Sequence, residues 1–140
     1  MKKVTAFVLV LACILTLVGC SNEEKVWDWA QGITEADILS VTPWEQDAEP
    51  EPLDDAQVLE LVTLLNNLTK KSFTQNKKGV GITPTVGLRI ELTAGSCHIN
   101  YAPSPYGKYG MLEIGFLEDE EMPYWIDDAE LLNFFERVTE

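Results

Sequence analysis

Histidine is nearly missing from this chain: there is one, His98, in 140 residues, beside three cysteines and only ten basic residues against 23 acidic ones. Each shortage excludes something. A zinc site draws several ligands from His and Cys, and no cluster of them is present, so no metal is expected. A Ser-His-Asp hydrolase would have to use His98, and no G-x-S-x-G motif supplies the serine. Gly79-Val80-Gly81 is not followed by Gly-Lys-Ser or Gly-Lys-Thr and is therefore no phosphate loop; a dinucleotide fingerprint is also missing, so no cofactor is expected. The run Glu118-Asp119-Glu120-Glu121 lacks the alternate ligand spacing and central glycine of a calcium loop. With a formal net charge of −13, the chain repels nucleic acid.

What the chain does have begins at its first residue. Lys2 and Lys3 precede Val4 to Val18, an apolar stretch without a charge, which is the pattern of an export signal. It falls short of the ~20 apolar residues that a membrane-crossing helix needs, and the polar residues Ser21 to Lys25 follow at once. Leu17-Val18-Gly19-Cys20 closes the segment, and this quartet resembles the lipobox of bacterial lipoprotein precursors. The resemblance implies that residues 1–19 are a signal peptide removed before Cys20, and that the Cys20 thiol carries a diacylglyceryl group. Two acyl chains hold a protein stably where one, at about 0.8 kcal/mol per buried methylene, binds marginally. The expected location is therefore the extracytoplasmic face of the cell membrane, with the membrane itself as a partner through Cys20. Beyond residue 20 the likeness is a loose one to small uncharacterised lipoproteins of Gram-positive bacteria, and no motif carries it.

Removal of the signal leaves 8 basic and 23 acidic residues, a net −15, so lipid rather than a basic patch would make the attachment. Cys13 would leave with the signal and Cys20 would be acylated. Cys97 then stands alone, no intrachain disulfide forms, and the fold must rest on a hydrophobic core.

Residues 20–32 read as a lipid-anchored tether and 33–140 as one small domain. Val26-Trp27-Asp28-Trp29, taken as extended, points both tryptophans the same way, either toward the bilayer interface or as a flap over the domain's own core. Ile38, Leu39, Val41 and Thr42 form a β-branched cluster ending at Pro43, an edge strand, and the acidic, proline-bearing run Glu45 to Pro52 is a loop. Asp54 and Gln57 make a capping box ahead of Val58, Leu61, Val62, Leu65 and Leu68, which predicts a helix from about Asp55 to Thr69. Leu59 and Leu64 widen its apolar stripe, and Lys70 and Lys71 suit its C-terminal dipole. Ser72 to Pro84, with Lys77 and Lys78, reads as a polar loop.

Thr85 to Ala102 gives the strongest strand signal. Val86, Leu88, Ile90 and Leu92 alternate with Gly87, Arg89 and Glu91, and Cys97, Ile99 and Tyr101 alternate with His98 and Asn100. An Ala94-Gly95 turn would set Leu92 opposite Cys97, Ile90 opposite Ile99 and Leu88 opposite Tyr101, with Glu91 facing His98 and Arg89 facing Asn100 on the outer side. Neighbouring strand side chains point to opposite faces. Cys97 and His98 therefore form no dyad: Cys97 is a buried, inert thiol and His98 a surface partner of Glu91.

Ala102 to Gly110 is a loop rich in Pro, Gly and Tyr. Together with Tyr101, its Tyr106 and Tyr109 are the candidate partner-binding residues, because tyrosine offers rigid amphipathic contact surface. Met111 to Leu117 and Tyr124 to Ile126 read as strands. Asp127 or Asp128 starts a closing helix, with Asp127 and Glu130 at capping-box spacing, that buries Leu131, Leu132, Phe134, Phe135 and Val138.

The expected fold is α+β, a mainly antiparallel four- or five-stranded sheet covered on one face by two helices. The residues present favour a non-enzymatic binding or interaction module whose partner is an envelope protein or ligand. Two alternatives stay open: an envelope hydrolase with a site built from scattered carboxylates, and an inhibitor or immunity-like protein with an acidic face.

Overall fold

Alternation and helical spacing put nearly every large apolar side chain onto one of two facing surfaces, and the chain folds by closing them together. The computed structural model describes residues 22–46, 51–77, 83–117 and 123–140, the side chains of 22–25 excepted. Three helices, α1 (Asn22–Gly32), α2 (Asp55–Asn67) and α3 (Ala129–Thr139), lie against a sheet of β1 (Ile38–Glu45), β2 (Phe73–Gln75), β3 (Val86–Leu92), β4 (Gly95–Tyr101), β5 (Leu112–Phe116) and β6 (Tyr124–Ile126). The sheet runs in the order β1-β3-β4-β5-β6-β2, and every pairing is antiparallel. The α+β class and the antiparallel sheet are as expected. The sheet has six strands rather than four or five, and three helices rather than two cover it.

The additional strand and helix come from segments whose sequence reads as polar. Phe73 to Gln75 sits inside the expected loop, but it pairs with β6 at the sheet edge, Phe73 opposite Ile126. Val26, Ala30 and Ile33, expected to fall in or beside a tether, belong to the buried core. They recur at i, i+4 and i+7, so one helical face meets the protein. Trp27 and Trp29 are half-buried around that face, and Trp29 packs edge-on against Phe116 at 5.1 Å. The tryptophans thus cover the domain's own core, from a helix rather than an extended flap.

Two side-chain amides lock α1 to α2 at their ends. Gln31 Nε2 donates to the carbonyls of Asn66 and Leu68, and Asn66 Nδ2 donates to those of Ala30 and Ile33, each at 3.0 Å. The last carbonyls of a helix have no partner within it. Here each helix supplies the donors that the other lacks.

The helix caps follow the sequence with small shifts. Gln57 N donates to Asp54 Oδ1 at 2.8 Å, and Gln57 Oε1 accepts from Asp54 N at 3.0 Å, the reciprocal pair expected. The helix stops at Asn67 because Leu68 turns extended (φ −61°, ψ 149°), and Lys70 and Lys71 then form a short 3₁₀ turn. Leu59 is 48 % exposed and lies off the buried stripe of Leu61, Val62 and Leu65. At α3 the cap is Asp128, the second of the two expected starts; its Oδ1 accepts from Leu131 N at 2.8 Å, and the Asp127–Glu130 box does not form the cap.

The β3–β4 hairpin keeps its faces but not its register. Ile90 pairs with Cys97, Leu88 with Ile99, Arg89 with His98, Glu91 with Ser96 and Leu92 with Gly95. This is a two-residue displacement from the expected register. Its cause is backbone sign: Gly95 adopts φ +108°, whereas Thr93 and Ala94 do not enter positive φ. The L-residues therefore make the turn, and the glycine takes the left-handed position immediately after it. A shift of two leaves each side chain on its original face.

On the helix side of the sheet Val41, Leu88, Ile90, Cys97, Ile99, Leu112, Ile114 and Ile126 meet Leu61, Leu65, Leu131, Phe134 and Phe135, all buried. β1 is an edge strand, as Pro43 implied, and Leu53 N donates to Val41 O at 2.8 Å on its outer side. No helix among the described residues is long and apolar enough to cross a membrane. The export signal, Cys20, residues 47–50 of the acidic loop and the run Glu118 to Glu121 lie outside the described residues.

Candidate functional site

With the helices all on one side, the other face of the sheet is left to the outward half of each strand's alternation. One row of this face crosses all six strands: Trp44, Gly87, Asn100, Glu113, Trp125 and Thr74 are paired each to the next. Beside it run Thr42, Arg89, His98 and Gly115, again paired in sequence. Thr42, Trp44, Arg89, His98, Asn100 and Leu117 line a groove of about 510 Å³, within the range of about 300–1,000 Å³ typical of small-ligand sites.

Two glycines let this groove form. A Cβ on Gly87 would stand 2.5 Å from Trp44 Nε1 and closer still to Asn100 Oδ1, so both polar atoms converge over its bare backbone. A Cβ on Gly115 would stand 2.8 Å from His98 Nε2. Glycine inside a strand weakens it unless something must approach closely, and here the indole, the amide and the imidazole do.

Asn100 is the anomaly of the face. Its residue is 6 % exposed, and its Oδ1 is buried without a hydrogen-bond partner. Leaving a buried acceptor unmade costs about 1–3 kcal/mol. Trp125, two strands away in the same row, likewise buries an Nε1 without a partner. Between them stands Glu113, half-buried, its carboxyl raised above the usual range by burial and partly restored by the hydrogen bond that it accepts from Asn76 Nδ2 at 3.3 Å.

The charged groups are arranged differently from the sequence expectation. Arg89 Nε donates to Glu91 Oε1 at 2.6 Å, along the strand, so Glu91 is the partner of Arg89 and not of His98. His98 is half-buried between Arg89 and Gly115, and burial lowers its pKa below the ordinary 6.5. At neutral pH it is an uncharged imidazole with one donor and one acceptor. Cys97 points to the opposite face, fully buried, its thiol pushed up to about 12 mainly by burial. No set of three or more His, Cys, Asp or Glu residues among the described residues is arranged to hold a metal ion.

The three candidate tyrosines have three different surroundings. Tyr101 packs against the helix-side core. Tyr109 stacks on Trp125 at 5.5 Å with an 11° interplanar angle, and Lys108 Nζ lies 5.2 Å from its ring centre. Tyr106 alone stands free at the loop tip, 105 % exposed, in the left-handed region at φ 64°. The loop beneath it is fastened by Ser104, whose Oγ accepts from Tyr109 N at 2.8 Å, and by Ser104 N donating to Gly110 O at 2.9 Å.

Sequence reasoning put Gly87, Arg89, His98 and Asn100 on the outward face but did not gather them into a site, and it missed Trp44 and Leu117. The available signal was Gly87, a glycine amid strong strand formers. Comparison of the chain with family models, curated proteins and solved structures finds no match in any of the three.

Proposed function

We propose that this protein is an extracytoplasmic lipoprotein, held at the cell membrane by a diacylglyceryl group on Cys20, whose α+β domain is a non-enzymatic binding module with the groove on the outward sheet face as its binding surface. The anchor rests on Leu17-Val18-Gly19-Cys20 and the short apolar stretch before it. The binding role rests on one observation above the others: Asn100 Oδ1, buried and unpartnered, on a residue that lines the groove and closes with the Trp44 indole over Gly87. A protein that tolerates such an acceptor gains when a ligand donates to it. No carboxylate is among the described residues lining that groove, which favours recognition over acid–base chemistry. Tyr106 adds an exposed aromatic contact on the β4–β5 loop.

The test joins both halves of the reading in living cells. A photo-crosslinking amino acid replaces Leu117, which is 55 % exposed on the groove rim, and in a control replaces Leu59 on α2. Irradiation is expected to give a discrete adduct from position 117 and none from position 59, and Cys20→Ser is expected to release the protein from the membrane. Equal labelling from both positions would refute the binding face. An unmodified thiol at Cys20, on a chain still starting at Met1, would refute the anchor.

A further inference from the structure

We infer that the groove between Trp44, His98 and Asn100 is a subsite for a neutral saccharide, a pyranose ring lying flat on the indole with a hydroxyl or acetamido N–H donating to Asn100 Oδ1. This deepens the binding-module reading and rests on it. The argument starts from what the groove presents. Its apolar walls are Trp44 and Leu117, enough to cover one face of a flat ring and too little for an extended apolar ligand. The indole is a plate, and the matching ligand surface is a planar array of C–H groups, which a pyranose carries on one side.

The polar groups narrow the class further. Asn100 Oδ1 is an unfilled acceptor and therefore calls for a donor on the ligand. Neutral His98 offers one donor and one acceptor, and Thr42 offers a hydroxyl that serves as either. Such a mixed, uncharged set matches vicinal hydroxyls, each of which both donates and accepts. An anionic ligand fits poorly, because Arg89, the cation among the described residues of the lining, is engaged by Glu91 and the chain carries −13 overall. Trp44 Nε1 and Asn100 Oδ1 converge over Gly87, and Oδ1 is closed to solvent, so a ring substituent reaches it as the Trp44 indole shifts.

The test uses the full-length lipoprotein, ¹⁵N-labelled, in detergent micelles. The indole N–H of Trp44 and the side-chain amide of Asn100 are followed during titration with chitotriose and maltotriose, with a heparin tetrasaccharide and trialanine as comparison probes. A neutral trisaccharide is expected to shift both signals saturably with Kd of about 0.1–10 mM. Trp44→Ala and Asn100→Leu are each expected to weaken this binding at least about tenfold. Trp44→Phe, which keeps an aromatic plate and guards against simple loss of fold, is expected to retain most of it, and Leu59→Ala, exposed on α2 away from the groove, all of it. If trialanine or heparin saturates these signals and neither neutral trisaccharide does by about 10 mM, the saccharide assignment is overturned while the binding face stands. If no probe shifts them, both fall.

Discussion

Replacing Asn100 by leucine should make this protein more stable, which is unusual for a change at a nearly fully buried residue. The native Oδ1 has lost its water and found no donor, a cost of about 1–3 kcal/mol. Leucine has a similar size and branching, carries no polar atom, and would sit against the Trp44 indole over the bare backbone of Gly87. The net gain expected is about 1–2 kcal/mol, less than the full penalty because leucine must settle into a space shaped for an amide. In a domain of this size that raises Tm by roughly 3–10 °C. The cleaner measurement is urea unfolding: the midpoint should rise with an unchanged slope, since the surface exposed on unfolding is the same. Asn100→Asp provides the opposite sign, because it sets a second carboxyl directly across from half-buried Glu113. A loss of more than about 1 kcal/mol in Asn100→Leu would show that Oδ1 is paired in solution, and the case for Asn100 as a ligand group would end there.

Further outcomes follow from the same geometry. Cys97, with its thiol near 12 against an ordinary 9.0, should show a thiolate fraction about a thousandfold lower than a free cysteine near pH 8; a thiol reagent should label it only on unfolding, and rapid labelling of native protein would refute its burial. Because that pKa is raised in the fold, the stability linked to Cys97 is complete below pH 9 and lost as pH rises toward about 12. Two groups on the open face act oppositely on acidification. Burial lowers His98, so its contribution is present above pH 6.5 and lost as pH falls through the folded value; burial raises Glu113, so its penalty is absent below pH 4.5 and appears as pH rises through the folded value. Glu113→Gln should therefore gain on the native protein between pH 4.5 and 7, while His98→Gln should flatten the loss below pH 6.5, both read from unfolding midpoints against pH. Asn66→Ala leaves the carbonyls of Ala30 and Ile33 without the donor that holds α1 and should cost about 1–3 kcal/mol, with amide exchange accelerating first in α1. Tyr106→Asn should gain about 0.5–1 kcal/mol in the same unfolding assay, since asparagine tolerates the left-handed backbone better and the exposed ring gives up little packing.

Where local chemistry decides structure, the residues alone were sufficient. Asp54 and Gln57 are three apart, and the capping box forms because both partners lie within one turn. The alternation from Val86 to Tyr101 fixed which side chains face the helices, since a strand has two faces whatever it pairs with. Short range also set the limits of that reading. The hairpin register depended on whether Gly95 sits in the turn or just after it, and alternation cannot tell registers two residues apart. Phe73-Thr74-Gln75 is too short to announce a strand and becomes one only because β6 presents a free edge. The helix of α1 needed Gln31 and Asn66 to meet across more than thirty residues.

The sequence by itself thus determined the α+β class, the antiparallel sheet, the inward and outward halves of its strands and the positions of two helices to within a residue or two, because these depend on periodicity and on partners a few positions away. Only the tertiary structure decided the strand order that lines up Trp44, Gly87, Asn100, Glu113 and Trp125 in one row. The hydrogen bonds that create that row join strands far apart in the chain. What makes Asn100 unusual is a partner it lacks, and that is a property of the surrounding space.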